Sequence, residues 1–264
     1  MQCRRQIFSL SILFLLLYLF SLSAANARAG QNPMKTIRFS GYEWDVKEAD
    51  IAGPGPNRWD AANVWVDAHG WLHLKISRVQ GKWRCAELAS RKRFGFGRYQ
   101  FQVTGLKQQM DRQVVLGLFN YPPPEVGPDG TNEIDIEFAH WADPATPLGN
   151  FTVCPAEGER PPNNHQTFSF VTSDTDTETT HRLYWSAEQV FFQSLRGHRD
   201  NDGEEIAHWT FASPLPALIP HQPLPIHINL WLFRGKPPVN LKEVELVVRQ
   251  FTFIPRELLP AAKS

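Results

Sequence analysis

The residues best suited to chemistry lie in one short stretch, Thr131-Asn132-Glu133-Ile134-Asp135-Ile136-Glu137-Phe138. Acidic and apolar side chains alternate with period two, which predicts a half-buried β-strand. Ile134, Ile136 and Phe138 are then expected to face a core, with Glu133, Asp135 and Glu137 sharing the other face. Asp and Glu are poor strand formers, and three like charges on one face repel, so the row is costly. Crowded carboxyls hold their protons more tightly, and a carboxyl with a raised pKa is what a general acid needs near neutral pH. A pair of glutamates is also the equipment for glycosidic bond cleavage. That chemistry wants carboxyls about 5–5.5 Å apart for retention or about 6.5–9.5 Å for inversion. The Cα atoms of the outer pair lie about 13 Å apart on a flat strand, so Glu133 and Glu137 must lean inward on a bent one. Two other readings compete: a solvated acidic strand face, and a Ca²⁺ site built from hard oxygen ligands.

The rest of the chain supplies elements to carry such a strand. With 264 residues, 21 Pro and 17 Gly, it reads as many short strands between turns, and no long helix is expected. Strands are predicted at Thr36–Trp44, Asn63–Asp67, Trp71–Ser77, Trp83–Ser90, Arg98–Thr104 and Val114–Tyr121. Further strands are expected around Gly149–Cys154, Gln166–Thr172, Thr180–Trp185, Val190–Leu195, Ile206–Phe211, Ile226–Phe233 and Leu241–Ile254. Asp67-Ala68-His69-Gly70 is expected to close a hairpin, with Gly70 at positive φ. Arg91-Lys92-Arg93 reads as a solvated turn. The fold class is therefore all-β, a β-sandwich or jelly roll.

Lys and Arg balance Asp and Glu at 27 each, without a long basic run, which gives no sign of a nucleic-acid partner. Arg4 and Arg5 precede an apolar stretch from Ile7 to Leu22 and the small residues Ala25-Asn26-Ala27. This is the pattern of a secretory signal peptide over residues 1–27, cleaved after Ala27, with an uncleaved anchor as the rival reading. The expectation is a secreted or periplasmic protein, with residues 28–264 as one domain, monomeric and not stably associated with a membrane once cleaved. Cys85 and Cys154 remain in the mature chain, either as a disulfide or as two free thiols. Asn150-Phe151-Thr152 is a glycosylation sequon.

Glu133-Ile134-Asp135-Ile136-Glu137-Phe138 resembles the E-x-D-x-E signature of glycoside hydrolase family 16. Other segments agree in order. Trp83-Arg84-Cys85-Ala86-Glu87 followed by Phe94-Gly95-Phe96-Gly97 resembles a stretch that precedes the motif in that family. Leu118-Phe119-Asn120-Tyr121 resembles its aromatic strand, His181-Arg182-Leu183-Tyr184-Trp185 a later strand, and Asn229-Leu230-Trp231 its Asn-Leu-Trp. The resemblance spans residues 36–254 and implies a β-jelly roll sandwich of two antiparallel sheets with a concave substrate cleft. It implies Glu133 as nucleophile, Glu137 as general acid/base and Asp135 as the group that tunes Glu133, in a retaining mechanism. It implies Glu87, Tyr121, Asn229 and Trp231 as substrate-binding residues, and a polysaccharide as partner.

The resemblance calls for no metal or organic cofactor in the chemistry. A structural Ca²⁺ occurs in some family members, with ligands that this sequence does not place. The motif lacks the extra bulge residue of the laminarinase, agarase and carrageenase branches, which favours an endo-acting hydrolase of β-1,3/1,4-glucan. A transglycosylase or a non-catalytic carbohydrate-binding protein would use the same cleft. Two departures stand out: Ala139-His140-Trp141 follows the motif where Leu-Gly is usual, and Thr131 stands where lichenases carry Trp. Glu87 has an alternative role as a partner of Arg84 or Arg98, while Trp65, Trp71 and Trp185 read as packing residues.

Overall fold

The structure, a computed structural model, describes residues 34–156, 166–175, 177–212 and 218–259. The expected signal peptide lies outside the described residues.

Alternation of apolar and polar residues does most of the folding work. One sheet runs in the order β1 (Thr36–Phe39), β2 (Tyr42–Val46), β8 (Ala86–Phe94), β17 (Leu224–Leu232), β10 (Val114–Asn120), β11 (Glu133–Ala139), β12 (Gly149–Cys154) and β13 (Gln166–Phe170). The other runs β16 (Glu205–Ala212), β15 (Gln189–Arg196), β14 (Glu178–Trp185), β9 (Gly97–Thr104), β18 (Val244–Pro255), β6 (Leu72–Val79) and β5 (Val64–Val66), with β7 (Lys82–Arg84) paired to β6. A small ribbon joins β3 (Ala49–Ala52) to β4 (Asn57–Trp59). The pairings between strands are antiparallel. This is an all-β, two-sheet jelly-roll sandwich. Among the described residues the only helices are short 3₁₀ turns, and none is long and apolar enough to cross a membrane.

The inner faces interdigitate. Ile134, Ile136 and Phe138 of β11 and Leu116 and Leu118 of β10 are buried with Phe101 of β9, Phe192 of β15 and Phe251 of β18. Burying each such side chain contributes about 1.5–3 kcal/mol. Buried indoles also find acceptors: Trp44 Nε1 donates to Phe39 O (3.0 Å) and Trp185 Nε1 to Pro220 O (2.7 Å).

The hairpin at Asp67–Gly70 forms as the sequence predicts. Gly70 has φ +81°, and Asp67 Oδ1 accepts from the backbone of His69 and Trp71 at 2.9 Å each. Two expectations are corrected. The first predicted strand is a hairpin, β1 and β2, turned at Ser40 (φ 51°) and Gly41 (φ 83°). Arg91-Lys92-Arg93 is not a turn but the exposed end of β8. Opposite charges neutralise the run, with Arg91 Nε on Asp45 Oδ1 (2.8 Å) and Arg93 on Glu125. Phe94 then anchors the strand end in the core against Tyr42 and Phe251.

Candidate active site

The acids are placed by β11 and its neighbours. Asn120 Oδ1 accepts from Ile134 N at 2.8 Å and fixes where the strand begins. Pairing with β10 and β12 then proceeds without a register shift, so the period of two survives along the motif. Ile134, Ile136 and Phe138 point inward, and Glu133, Asp135 and Glu137 point outward from the sandwich. Across the sheet, one register line joins Asn150, Glu137, Gly117, Asn229 and Glu87 on five adjacent strands. A second joins Thr152, Asp135, Phe119 and His227.

Glu137, Asn229 and Glu87 from the first line and Phe119 and His227 from the second border a cleft of about 660 Å³, together with Glu133, Tyr121, Trp231 and residues from two loops. The four residues singled out as substrate contacts thus lie in one cavity with the two glutamates. Asp135 sits between the glutamates in sequence, 6% exposed, and hydrogen-bonds to Glu133.

Burial dominates the electrostatics. It pushes Glu133 up to about 7, against the Asp135 hydrogen bond that pulls it down, with the charge of Asp129 adding to the rise. Burial and then the charge of Glu133 push Glu137 up to about 8. Asp135 is raised well above the ordinary carboxyl range by burial and by both glutamates. The row therefore holds protons near neutral pH instead of carrying three negative charges.

Gly117 has a specific task. A Cβ there would stand 2.5 Å from Asn229 Oδ1 and 3.2 Å from the Phe119 ring. Its missing side chain opens a notch between Glu137 and Asn229, whose strands lie about 9.6 Å apart across β10. Asn229 Oδ1 is buried without a hydrogen-bond partner, an acceptor left for a donor entering the cleft.

Glu87 does not pair with Arg84 or Arg98. Its Oε2 meets Lys47 Nζ at 2.9 Å and its Oε1 meets His227 Nδ1 at 3.2 Å. Burial would raise its pKa, but the His227 hydrogen bond and the Lys47 charge outweigh that and hold it below the usual range. Lys47 also donates to Gly53 O (2.6 Å), tying the Gly53–Gly55 loop to the cleft wall. Tyr121 hydroxyl donates to Asp129 Oδ1 at 2.7 Å, and His227 packs against Phe119 and Tyr121. Lys47, His227, Asp129 and Gly117 were not singled out from the sequence. Only Gly117 carried a signal, as a glycine inside an apolar strand.

Other candidates fall away from the cleft. Trp141 packs on Trp231 and Phe233, and His140 is buried, its ring nitrogens bonded to Thr146 O and Gln108 O. Trp185 is a core residue; Trp65 and Trp71 are half-buried, stacked on His73 and under Arg249. Cys85 and Cys154 are free thiols, raised by burial, Cys85 to about 12. Asn150 of the sequon is 3% exposed within β12, its amide donating to Leu148 O (3.2 Å) and its Oδ1 accepting from Ser169. Among the described residues no group of three or more His, Cys, Asp or Glu is arranged to hold a metal ion.

No family model and no curated protein matches the sequence. Solved structures do match the fold. A β-glucanase of Bacillus licheniformis superposes with TM-score 0.61 at 20% identity, covering 86% of this chain and 100% of that one. A laminarinase from Flavobacterium sp. UMI-01 gives 0.60 at 12% identity, covering 80% and 92%. A Bacteroides ovatus mixed-linkage glucan family-16 protein, solved with a G4G4G3G product, gives 0.59 at 16% identity, covering 84% and 98%. At these identities the likeness is one of fold: the chain shares the jelly-roll architecture of these three structures.

Proposed function

We propose that the chain is an endo-acting glycoside hydrolase that cleaves internal β-glycosidic bonds with retention of configuration. The observation that carries this reading is a row of buried carboxyls on one strand face, two of them glutamates that open into one cleft. Glu133 and Glu137 line one cleft with Asp135 between them, and burial holds all three above the ordinary carboxyl range. Asp135, protonated, donates to Glu133 and favours its carboxylate form. A proton donor and an anionic nucleophile then flank one bond. Glu137 protonates the leaving oxygen while Glu133 attacks the anomeric carbon. Water, activated by Glu137 as base, releases the glycosyl group from Glu133.

The aromatic rings of Tyr121 and Trp231 suit the C–H face of a sugar, and Asn229 and Glu87 suit its hydroxyls. The bulge-free β11 and the G4G4G3G product bound in the Bacteroides ovatus structure favour a β-1,3/1,4-glucan as substrate. Export through residues 1–27 belongs to the same reading and is checked by N-terminal sequencing of the released protein.

The test is release of new reducing ends from mixed-linkage glucan, laminarin and xyloglucan. Glu133→Ala is expected to lower the rate by about 10³-fold or more while leaving the melting temperature unchanged or higher. Undiminished rates in that variant would refute the assignment. The pH profile should be bell-shaped, rising as the coupled row loses its first proton and falling as the proton donor Glu137 ionises, with both limbs above the ordinary carboxyl range. A flat profile across pH 5–10 would remove Glu137 as the proton donor.

A further inference from the structure

The sheet opposite the cleft carries a second recess that the proposed chemistry leaves unused. On β9 and β14, Tyr99, Phe101, Leu183 and Trp185 point into the core, so Arg98, Gln100, Arg182 and Tyr184 face outward. An outward arginine on a sheet ordinarily lies in water. Arg182 is 0% exposed because the connection from β15 to β16 folds over it. Its Nε donates to Gln100 Oε1 (2.7 Å), its Nη1 to Asp202 Oδ1 (2.9 Å), and its Nη2 to Arg199 O (3.2 Å) and Asn201 O (2.8 Å). Asp200 of the same connection accepts from Gln100 Nε2 (3.2 Å) and Gln102 Nε2 (3.4 Å). Burying a guanidinium is expensive unless its donors are satisfied. Here that cost goes into holding a loop upright as a wall.

Beside the wall lies a pocket of about 630 Å³, close in size to the 660 Å³ cleft. Tyr184 and Phe191, both half-buried with ring centroids 5.7 Å apart, give it an apolar side. Arg98, Gln189, Asp200 and Asp202 bring donors and acceptors around them. The Nε of Arg98 is buried without a hydrogen-bond partner. Two opposite signs of charge side by side give no field that would select an ion. A purely apolar ligand would strand the polar groups unpaired. An acidic polymer would be repelled by the two aspartates. A ring with a C–H face and several hydroxyls uses every feature: the face stacks on an aromatic ring, hydroxyls donate to carboxylates, and they accept from the guanidinium.

We propose that this pocket binds a neutral oligosaccharide segment, as a second glycan site independent of the cleft. It goes beyond the catalytic reading. A chain held here would raise the local concentration of polymer for the cleft on the other sheet.

The test uses the full chain with the cleft silenced by Tyr121→Ala, Asn229→Ala and Glu133→Ala, its folding checked by melting temperature. Cellohexaose, laminarihexaose and soluble mixed-linkage glucan are titrated by calorimetry and by affinity electrophoresis. At least one probe is expected to bind the silenced protein, and Tyr184→Ala to weaken that binding about 5–10-fold, the worth of one ring contact. If Tyr184→Ala disturbs folding, Gln189→Ala reads the same pocket from its rim. No binding of any probe to the silenced protein overturns the proposal, as does binding that both substitutions leave within twofold. Hydrolysis by the otherwise native chain, measured separately, reports on the cleft alone. Tyr184→Ala is expected to leave turnover of short soluble oligosaccharides unchanged.

Discussion

Arg182 and the carboxyls of β11 are both ionisable groups withdrawn from water, and the fold treats them in opposite ways. Arg182 has a partner for each of its nitrogens, and its surroundings supply two backbone carbonyls, two amide oxygens and a carboxylate. Glu133, Asp135 and Glu137 are set against one another, and burial raises all three. The arginine's environment stabilises the charge that it carries. The acids' environment opposes theirs and is relieved by protons. A buried charge that is fully partnered is scaffold, whereas one left short of partners is reactive. The difference identifies the outward face of β11 as the place where the molecule holds unfavourable energy.

Removing the scaffold charge should be the costliest change to stability. Arg182→Leu leaves Gln100 and two carbonyls without their donor and frees the β15–β16 connection, so about 3–4 kcal/mol of stability should be lost, roughly 10 °C in melting temperature. A shift under about 2 °C would remove the contrast drawn above.

Neutralising the acids should do the reverse. Glu133 and Glu137 bind protons more tightly folded than unfolded. That contribution is fully present below the unfolded value of 4.5 and is lost as pH rises through about 7 and about 8. The triple variant Glu133→Gln, Asp135→Asn, Glu137→Gln should therefore gain about 1–3 kcal/mol over the native chain at pH 9 and differ little at pH 4. Denaturant titrations at the two pH values decide it. Equal stability at pH 9 would mean that the row is not under electrostatic load.

The smallest effect sharpens the picture around Glu137. Gly117→Ala puts a methyl group 2.5 Å from Asn229 Oδ1, so Asn229 must move. A fall of about 10-fold in kcat/KM is expected, with only a small change in melting temperature. An unaltered kcat/KM would show that the notch has no part in substrate placement.

The strand order of residues in β11 was legible because a two-residue period states which side chains are inside and which outside. The same rule located β6 and β9, whereas β10 showed as a continuous apolar run. It failed at Arg91–Arg93, where charge suggested solvent and a turn, because the neutralising partners Asp45 and Glu125 are remote in sequence. Glu87, Tyr121, Asn229 and Trp231 were found through motif resemblance, and the register of four strands brings them to one floor. Lys47 and His227 were beyond reach for a related reason. Their significance lies in Glu87, which is 40 positions from one and 140 from the other. Arg182 gave no sign either, since nothing local tells a buried arginine from a solvated one.

The position of Asn150 bears on how the protein can be made. Its amide is committed to the seam between β11 and β12, directly across from Glu137. Oligosaccharyl transfer acts on the nascent chain, before that seam exists. A host that modifies Asn-x-Thr during translocation would attach a bulky sugar where two strands must close, and the acids would never be assembled. Production in a host without that machinery, or with Thr152→Val to erase the sequon, avoids the conflict.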